Sequence, residues 1–204
     1  MDGTILPIKT LVSLAKQYKT FLYLDEAHAT GIYGPNGYGL STNVDLRGIP
    51  FVIMGTFSKA LGCSGGYVAC DQILKDYLIN NAQGFIYSTA NSPFVIGAAY
   101  KAWEIIRNLN EEREHLFSLS EILRNNLMSL GFDIGASASH IIPIIYKEEK
   151  LALAITEKLC QKGIIVSCIR PPTVPLNSAR IRIALNRNKK KSDIEKLITE
   201  LKTL

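Results

Sequence analysis

Two short stretches hold residues whose chemistry would be useful side by side. The first is Asp25-Glu26-Ala27-His28, which follows the apolar run Phe21-Leu22-Tyr23-Leu24. The second is Thr56-Phe57-Ser58-Lys59-Ala60-Leu61-Gly62, which follows Phe51-Val52-Ile53-Met54-Gly55. A lysine at a buried strand end is desolvated, which favours the neutral amine and makes it a nucleophile able to form a Schiff base. The hydroxyls of Thr56 and Ser58 can donate to a phosphate beside it. The carboxylate of Asp25 can pair with a protonated ring nitrogen, and His28, three residues on, can hydrogen-bond an oxygen of the same ring. Such a pairing keeps a heteroaromatic ring an electron sink. A lone Ser-Lys-Ala is most often a surface lysine. What gives these residues weight is their order, with each group at the end of an apolar run.

The elements that must position them are legible in outline. Pro7 suits the first turn of a helix, and Ile8, Leu11, Val12, Ala15 and Tyr18 recur at helical spacing behind it. The runs 21–24 and 51–55 read as strands buried on both faces of a parallel sheet. In open α/β sheets, ligands bind beyond the carboxyl ends of the strands, which is where Asp25 and residues 56–59 fall. Residues 66–70 and 85–87 read as two further short strands. The stretch 31–39 is too rich in glycine to be helical. A helix is expected from Pro93 to about Asn108, with Trp103 and Ile106 on its buried face. The polar stretch 110–114 marks a domain junction. Beyond it the pattern reads helix (112–130), strand (141–146), helix (150–162), strands (164–169 and 179–185) and helix (193–203). The fold class expected is α/β: a partial, mainly parallel sheet in residues 1–110 and a small α+β domain in 111–204. Met1-Asp2-Gly3 runs into the first helix with no strand before it, so the sheet would begin in its middle.

Composition bounds the classes of function. The chain has 204 residues, 47% hydrophobic and 20% charged, enough for a sizeable core. Its 23 Lys+Arg against 18 Asp+Glu leave a net charge of +5. Much of the excess sits in Arg187 and Lys189-Lys190-Lys191, before a final helix whose start Ser192 and Glu195 would cap. That is a solvated loop, not the basic face interleaved with aromatics of a nucleic-acid binder. The four cysteines, at 63, 70, 160 and 168, form no C-x-x-C pair, and the three histidines are scattered. No metal site is expected, and reduced thiols point to the cytoplasm. No leader begins the sequence, and no apolar run approaches the roughly 18 residues of a membrane span.

The motifs 25–31, 34–39 (Gly-Pro-Asn-Gly-Tyr-Gly) and 56–60 resemble the core of the α-oxoamine synthases. These are pyridoxal 5'-phosphate (PLP) enzymes of the aspartate-aminotransferase fold (fold type I), and they join an amino acid to an acyl thioester with loss of carbon dioxide. The resemblance is continuous over nearly the whole chain. It implies that Lys59 carries the cofactor and moves the α-proton, that Asp25 meets the pyridine nitrogen, that His28 meets the ring oxygen and that Thr56, with Ser58 beside it, meets the phosphate. Ser88 and Thr89, in Phe85-Ile86-Tyr87-Ser88-Thr89-Ala90, resemble the segment that reaches the phosphate from a neighbouring subunit, which implies a homodimer.

Within the family, residues 169–175 (Ile-Arg-Pro-Pro-Thr-Val-Pro) and 179–183 (Ala-Arg-Ile-Arg-Ile) look most like the branch that condenses L-alanine with pimeloyl-CoA or pimeloyl-acyl-carrier protein. Arg182 would then hold the amino acid's carboxylate, for which an arginine fork is suited, and Thr173 would line the substrate site. Alternation along 179–185 sets Ile181, Ile183 and Leu185 on one face, Arg180 and Arg182 on the other. Other α-oxoamine synthases, such as 2-amino-3-ketobutyrate ligase or 5-aminolevulinate synthase, share the same cofactor chemistry. Family members carry a segment upstream of what is Met1 here. The expectation is that residues 1–204 alone bind the cofactor weakly, and an inactive remnant that only folds or dimerises is a further alternative. Asp25-Glu26-Ala27-His28 also imitates the acidic motif of a nucleotide triphosphatase, but no G-x-x-x-x-G-K-[ST] occurs in the chain.

Overall fold

The computed structural model describes residues 1–203 and divides the chain into two compact units, one of Pro7–Asn110 and one of Met1–Leu6 with Glu111–Leu204. The first six residues, expected with the first domain, belong to the second unit. The cause is local: Gly3 O accepts from Ala138 N (2.9 Å), and Asp2 is paired with Arg180.

In the first unit, helix α1 (Ile8–Tyr18) buries Ile8, Val12 and Ala15, one stripe at helical spacing. Pro7 stands just outside it, its carbonyl accepting from Leu11 N at 3.1 Å. The stripe packs against Leu22 and Leu24 of strand β1 (Leu22–Asp25), with Ile49 completing the core. Strand β2 (Phe51–Thr56) pairs in parallel with β1, and β3 (Gly66–Cys70) pairs antiparallel with β2, giving the order β1-β2-β3. The parallel pair is the one that the apolar runs foretold. The second pairing makes this three-stranded sheet mixed.

The expectation that both faces of β1 and β2 are buried is corrected. Burial alternates along β1, with Leu22 and Leu24 inside while Tyr23 is 63% exposed. The face that meets α1 is covered, while on the opposite face Tyr23, Asp25 and Val68 are exposed and Val52, the lateral partner of Tyr23, is buried. A continuous apolar run therefore serves here as a strand with one dry face.

Helix α2 (Gln72–Asn81) has no counterpart in the sequence reading. Its start is marked by Asp71, whose side chain accepts from Leu74 N at 2.8 Å. The expected strand at 85–87 is a correction of the other kind. Residues Gln83–Ile86 form a short helix, α3, closed by Ile86 N to Ala82 O (2.9 Å) and Tyr87 N to Gln83 O (3.0 Å). Three apolar residues in a row are too few for periodicity to tell a strand from a helical turn. Helix α4 (Pro93–Ile106) follows, with Ala99 buried and Trp103 half-buried, its ring stacked on Tyr38 at 5.7 Å.

The second unit is a three-stranded antiparallel sheet with helices. Its strands, β4 (Ile141–Lys147), β5 (Ser167–Ile169) and β6 (Ala179–Ala184), lie in the order β4-β6-β5. Helices α5 (Asn110–Ser129), α6 (Glu149–Gln161) and α7 (Lys191–Leu201) each bury one apolar stripe, such as Leu116, Leu119, Leu123 and Leu127 of α5. The start of α7 corrects the expected cap. Asp193, rather than Glu195, reaches back, accepting from Lys190 N at 2.8 Å. Among the described residues, no helix is long and apolar enough to cross a membrane, and no group of three or more His, Cys, Asp or Glu could hold a metal ion.

Candidate active site

Register decides what β1 and β2 offer together. Asp25, the last residue of β1, is the lateral partner of Met54. Lateral partners share a face, and residues two apart on a strand share it too, so Asp25, Met54 and Thr56 all face the open side of the sheet. The turn bearing Ser58 and Lys59 leaves the same end of β2. The parallel pairing thus brings a carboxylate, two hydroxyls and a primary amine to one carboxyl edge.

The turn is built by its backbone. Phe57 N donates to Gly65 O (2.9 Å), Cys63 N to Phe57 O (2.8 Å) and Gly62 N to Lys59 O (3.1 Å). The hydroxyls of Thr56 and Ser58 lie 2.8 Å apart, Ser58 N donates to Thr56 Oγ1 at 3.2 Å, and Thr56 Oγ1 donates to Gly65 O at 3.1 Å. Lys59 itself is exposed. This corrects the expectation of a lysine desolvated at a buried strand end: Lys59 stands three residues beyond β2, in the exposed turn.

Asp25 is also exposed, and its Oδ1 accepts from Ala27 N at 2.9 Å. His28 lies in the turn that follows and is exposed. Behind both, on the covered side, is a polar network that sequence reasoning missed. Glu26 is buried, and its carboxylate accepts from Ser41 N at 2.6 Å. Thr30 Oγ1 donates to Glu26 O (2.9 Å) and lies 3.0 Å from the Tyr67 phenol. Burial pushes that phenol up from its ordinary value; the Thr30 bond pulls it down and the Glu26 charge pushes it up. The Tyr67 ring stacks on Phe57, meets Trp103 edge-on and covers Gly55, where any Cβ would run into it. Gly39 makes room for Glu26: the glycine has φ +105°, and a Cβ there would overlap the Glu26 carboxylate.

Ser88 and Thr89 lie just after α3 and are exposed. Thr173 and Arg182 belong to the second unit. Thr173 is exposed in the 170–175 turn, with its N donating to Arg170 O at 3.0 Å. Arg182 is half-buried on β6, its Nη1 3.5 Å from Met1 Sδ and its Nε buried without a partner. Arg180, two residues earlier, is buried and committed to Asp2 and to Ser178 O (2.9 Å). Of the two arginines, Arg182 keeps the capacity to receive a ligand.

The set gathered at the edge of β1 and β2 fits PLP by the chemistry of its groups: an amine for the aldehyde, a carboxylate for the ring nitrogen and paired hydroxyls for the phosphate. Comparison with known proteins agrees. Residues 1–201 match the aminotransferase class I and II family. This chain belongs to that family, whose structural neighbours are PLP-dependent enzymes of fold type I. A relative from Paramagnetospirillum magneticum named "Putative 8-amino-7-oxononanoate synthase" is 43% identical over 201 residues, covering 98% of this chain and 50% of the relative. One of the same name from Bacillus cereus is 45% identical over 196 residues, 96% of this chain and 50% of its own length. Among solved structures, a serine palmitoyltransferase with PLP superposes with a TM-score of 0.91 at 27% identity, over 100% of this chain and 52% of that one. The 8-amino-7-oxononanoate synthase of Francisella tularensis superposes at 0.81 with 29% identity, over 95% and 58%. The chain spans about half the length of the curated relatives it matches.

Proposed function

We propose that this chain carries the lysine-bearing part of a PLP-dependent acyltransferase. The reaction joins L-alanine to a pimeloyl thioester, of coenzyme A or acyl-carrier protein, and releases carbon dioxide and the free thiol. The product is 8-amino-7-oxononanoate, on the route to biotin. The observation that carries this reading is the parallel register that sets Asp25 on the same sheet edge and face as Thr56, one turn from Lys59. The names of the relatives support the choice of substrates.

When bound, PLP supplies a conjugated sink for negative charge at the amino acid's α-carbon. The protein's part is to hold and move protons around it. Asp25 would keep the ring nitrogen protonated, and His28 would donate to the ring oxygen. Thr56 and Ser58 would donate to the phosphate, joined by Ser88 and Thr89 of a second copy. Lys59 would anchor the aldehyde carbon, take the α-proton from L-alanine and return a proton to the product. Arg182 would present its fork to the amino acid's carboxylate, and Thr173 would line the substrate site.

Two further parts of the reading rest on the surface. Ile73, Tyr77, Phe85, Tyr87, Phe94 and Tyr100 are all more than 60% exposed, apolar surface of the kind that a homodimer would bury. The four cysteines are free thiols, which suits the reducing cytoplasm.

The test supplies PLP, L-alanine and pimeloyl-CoA to the protein and follows carbon dioxide and 8-amino-7-oxononanoate. Complemented by the rest of an enzyme of its relatives' length, the native sequence is expected to give product and Lys59→Ala none above background; undiminished product from that variant overturns the reading. The TM-score of 0.91 to serine palmitoyltransferase favours one alternative, a synthase using another amino acid and acyl chain. Preference for L-serine and palmitoyl-CoA in the same assay would establish it.

A further inference from the structure

Glu26 is anchored at three points. Its N–H donates to Met54 O (2.8 Å), extending the pairing of β1 with β2 by one residue. Its carbonyl accepts from Ala29 N, Thr30 N and Thr30 Oγ1 at 2.8 to 2.9 Å, and so shapes the turn that carries His28. Its carboxylate takes Ser41 N at 2.6 Å, at the far end of the glycine stretch. That stretch is itself cross-tied, by Gly31 N to Gly37 O (2.7 Å), Gly39 N to Tyr33 O (2.8 Å) and Thr42 Oγ1 to Gly39 O (2.6 Å).

Burying a carboxylate is costly unless it is paired and hydrogen-bonded. Glu26 is only 5% exposed, and its Oε2 lies buried against Gly39 with no hydrogen-bond partner among the protein groups. A leucine or methionine would fill the same space without that cost. The chain nevertheless places the charge directly after Asp25. Consecutive residues of extended chain point to opposite sides, so a side chain fixed beneath the edge determines that its neighbour points above it. The exposures fit this: Glu26 is buried on the covered side and Asp25 is exposed on the open side.

We propose that Glu26 is a positioning residue, whose carboxylate clamps residues 31–41 beneath the sheet edge and thereby fixes the aim of Asp25 and His28. The consequence for a cofactor rests on the reading above, in which those two residues address PLP. The clamp itself does not. Charge-assisted bonds to a backbone N–H are among the stronger ones, so the loss of this one should be visible.

Amide exchange in the cofactor-free chain decides the matter, because Ala27 N–H donates to Asp25 Oδ1 and reports the aim of that carboxylate. Glu26→Ala is expected to speed exchange at both Ser41 and Ala27 by about tenfold or more. Glu26→Asp keeps the charge but is too short to reach, and should do the same. Glu26→Gln keeps an acceptor at the right distance and should hold both amides within about threefold of the native rate. Faster exchange at Ser41 with Ala27 unchanged means that Glu26 only ties down the loop, which overturns the proposal. Native behaviour in Glu26→Asp does the same. Should Glu26→Ala not fold, the contrast of Asp with Gln carries the test. A second arm titrates PLP and follows the pH dependence of its visible band. A changed profile in Glu26→Asp, restored in Glu26→Gln, supports the inference, and an unchanged one overturns it. A native chain that gives no band counts against the cofactor reading, while the exchange result still judges the clamp.

Discussion

Arg180 and Asp2, 178 positions apart in sequence, form an ion pair within the second unit. The arginine side chain is 8% exposed and the aspartate 46%, so the pair is half in water and its worth lies well below that of a fully buried one. Asp2→Asn should lower stability by about 1 kcal/mol, read from the urea midpoint, because the guanidinium keeps its bond to Ser178 O. Its effect on alanine binding should be small. Arg182→Lys should do the reverse. It should leave the midpoint nearly unchanged and raise the KM for L-alanine by about tenfold or more, since an ammonium cannot reproduce the two-pronged contact. Equal effects of the two substitutions on KM would contradict the division of labour between these neighbours.

Gly55 and Tyr67 make a second pair that tolerates little change. A Cβ on Gly55 would enter the Tyr67 ring, which is held on its other sides by Phe57, Trp103 and the Thr30 hydroxyl. Gly55→Ala should therefore cost about 1–3 kcal/mol through overpacking. Tyr67→Phe, which removes only the bond to Thr30, should cost about 1 kcal/mol. Combining Gly55→Ala with Tyr67→Ala should relieve the clash, so that the double variant is less destabilised than the sum of the two. Simple additivity would show that the two side chains do not meet.

How much of this was readable in advance follows from the range of each interaction. Strands β1 and β2 are continuous apolar runs ending in chemistry-bearing residues, so their existence and the candidate edge were legible. Which faces were covered was not, because burial of Tyr23 or Lys59 depends on what packs above the sheet and leaves no local pattern. Helix α2 went unread although Ile73, Leu74, Tyr77 and Leu78 recur at helical spacing behind the capping Asp71; none of its residues is buried, so that stripe meets no core in this unit. The alternation of Arg180 and Arg182 was plain, yet Asp2 lies too far along the chain for sequence to say which arginine it takes. Glu26 escaped notice for a related reason. A glutamate beside a candidate catalytic aspartate reads as solvent-facing, and its partner Ser41 is fifteen residues away.

The core of the second unit gives a direct test of its packing. Leu123 of α5 is 0% exposed and sits in the stripe Leu116, Leu119, Leu123 and Leu127. Leu123→Ala should cost about 2–5 kcal/mol, the transfer of the lost methyl groups plus the cavity left behind. Met128, five residues further along α5 and 53% exposed, provides the control. Met128→Ala should change the urea midpoint by less than about 0.5 kcal/mol equivalent. A small effect at Leu123 would mean that α5 does not pack as described.

Alkaline pH provides the last test. Tyr146 lies where the pairing of β4 with β6 shifts register between Ile145 and Lys147, and burial pushes its phenol up to about 12. In the unfolded chain a tyrosine ionises near about 10. Below that value both states hold the proton, and the contribution to stability is fully present. Between about 10 and about 12, the unfolded state releases its proton while the folded state keeps it, so rising pH favours unfolding. Stability of the second unit should therefore fall progressively across that window. Tyr146 is only half-buried, which limits the size of the fall. Tyr146→Phe has no proton to lose and should flatten the alkaline slope of the urea midpoint without altering it at neutral pH. The Tyr67 phenol, raised in the same direction, makes the corresponding contribution in the first unit. Its substitution should leave the slope assigned to Tyr146 untouched when near-ultraviolet signals from the two tyrosines are followed separately. A slope that survives Tyr146→Phe would place the alkaline loss elsewhere and remove the argument for a buried phenol at the bulge.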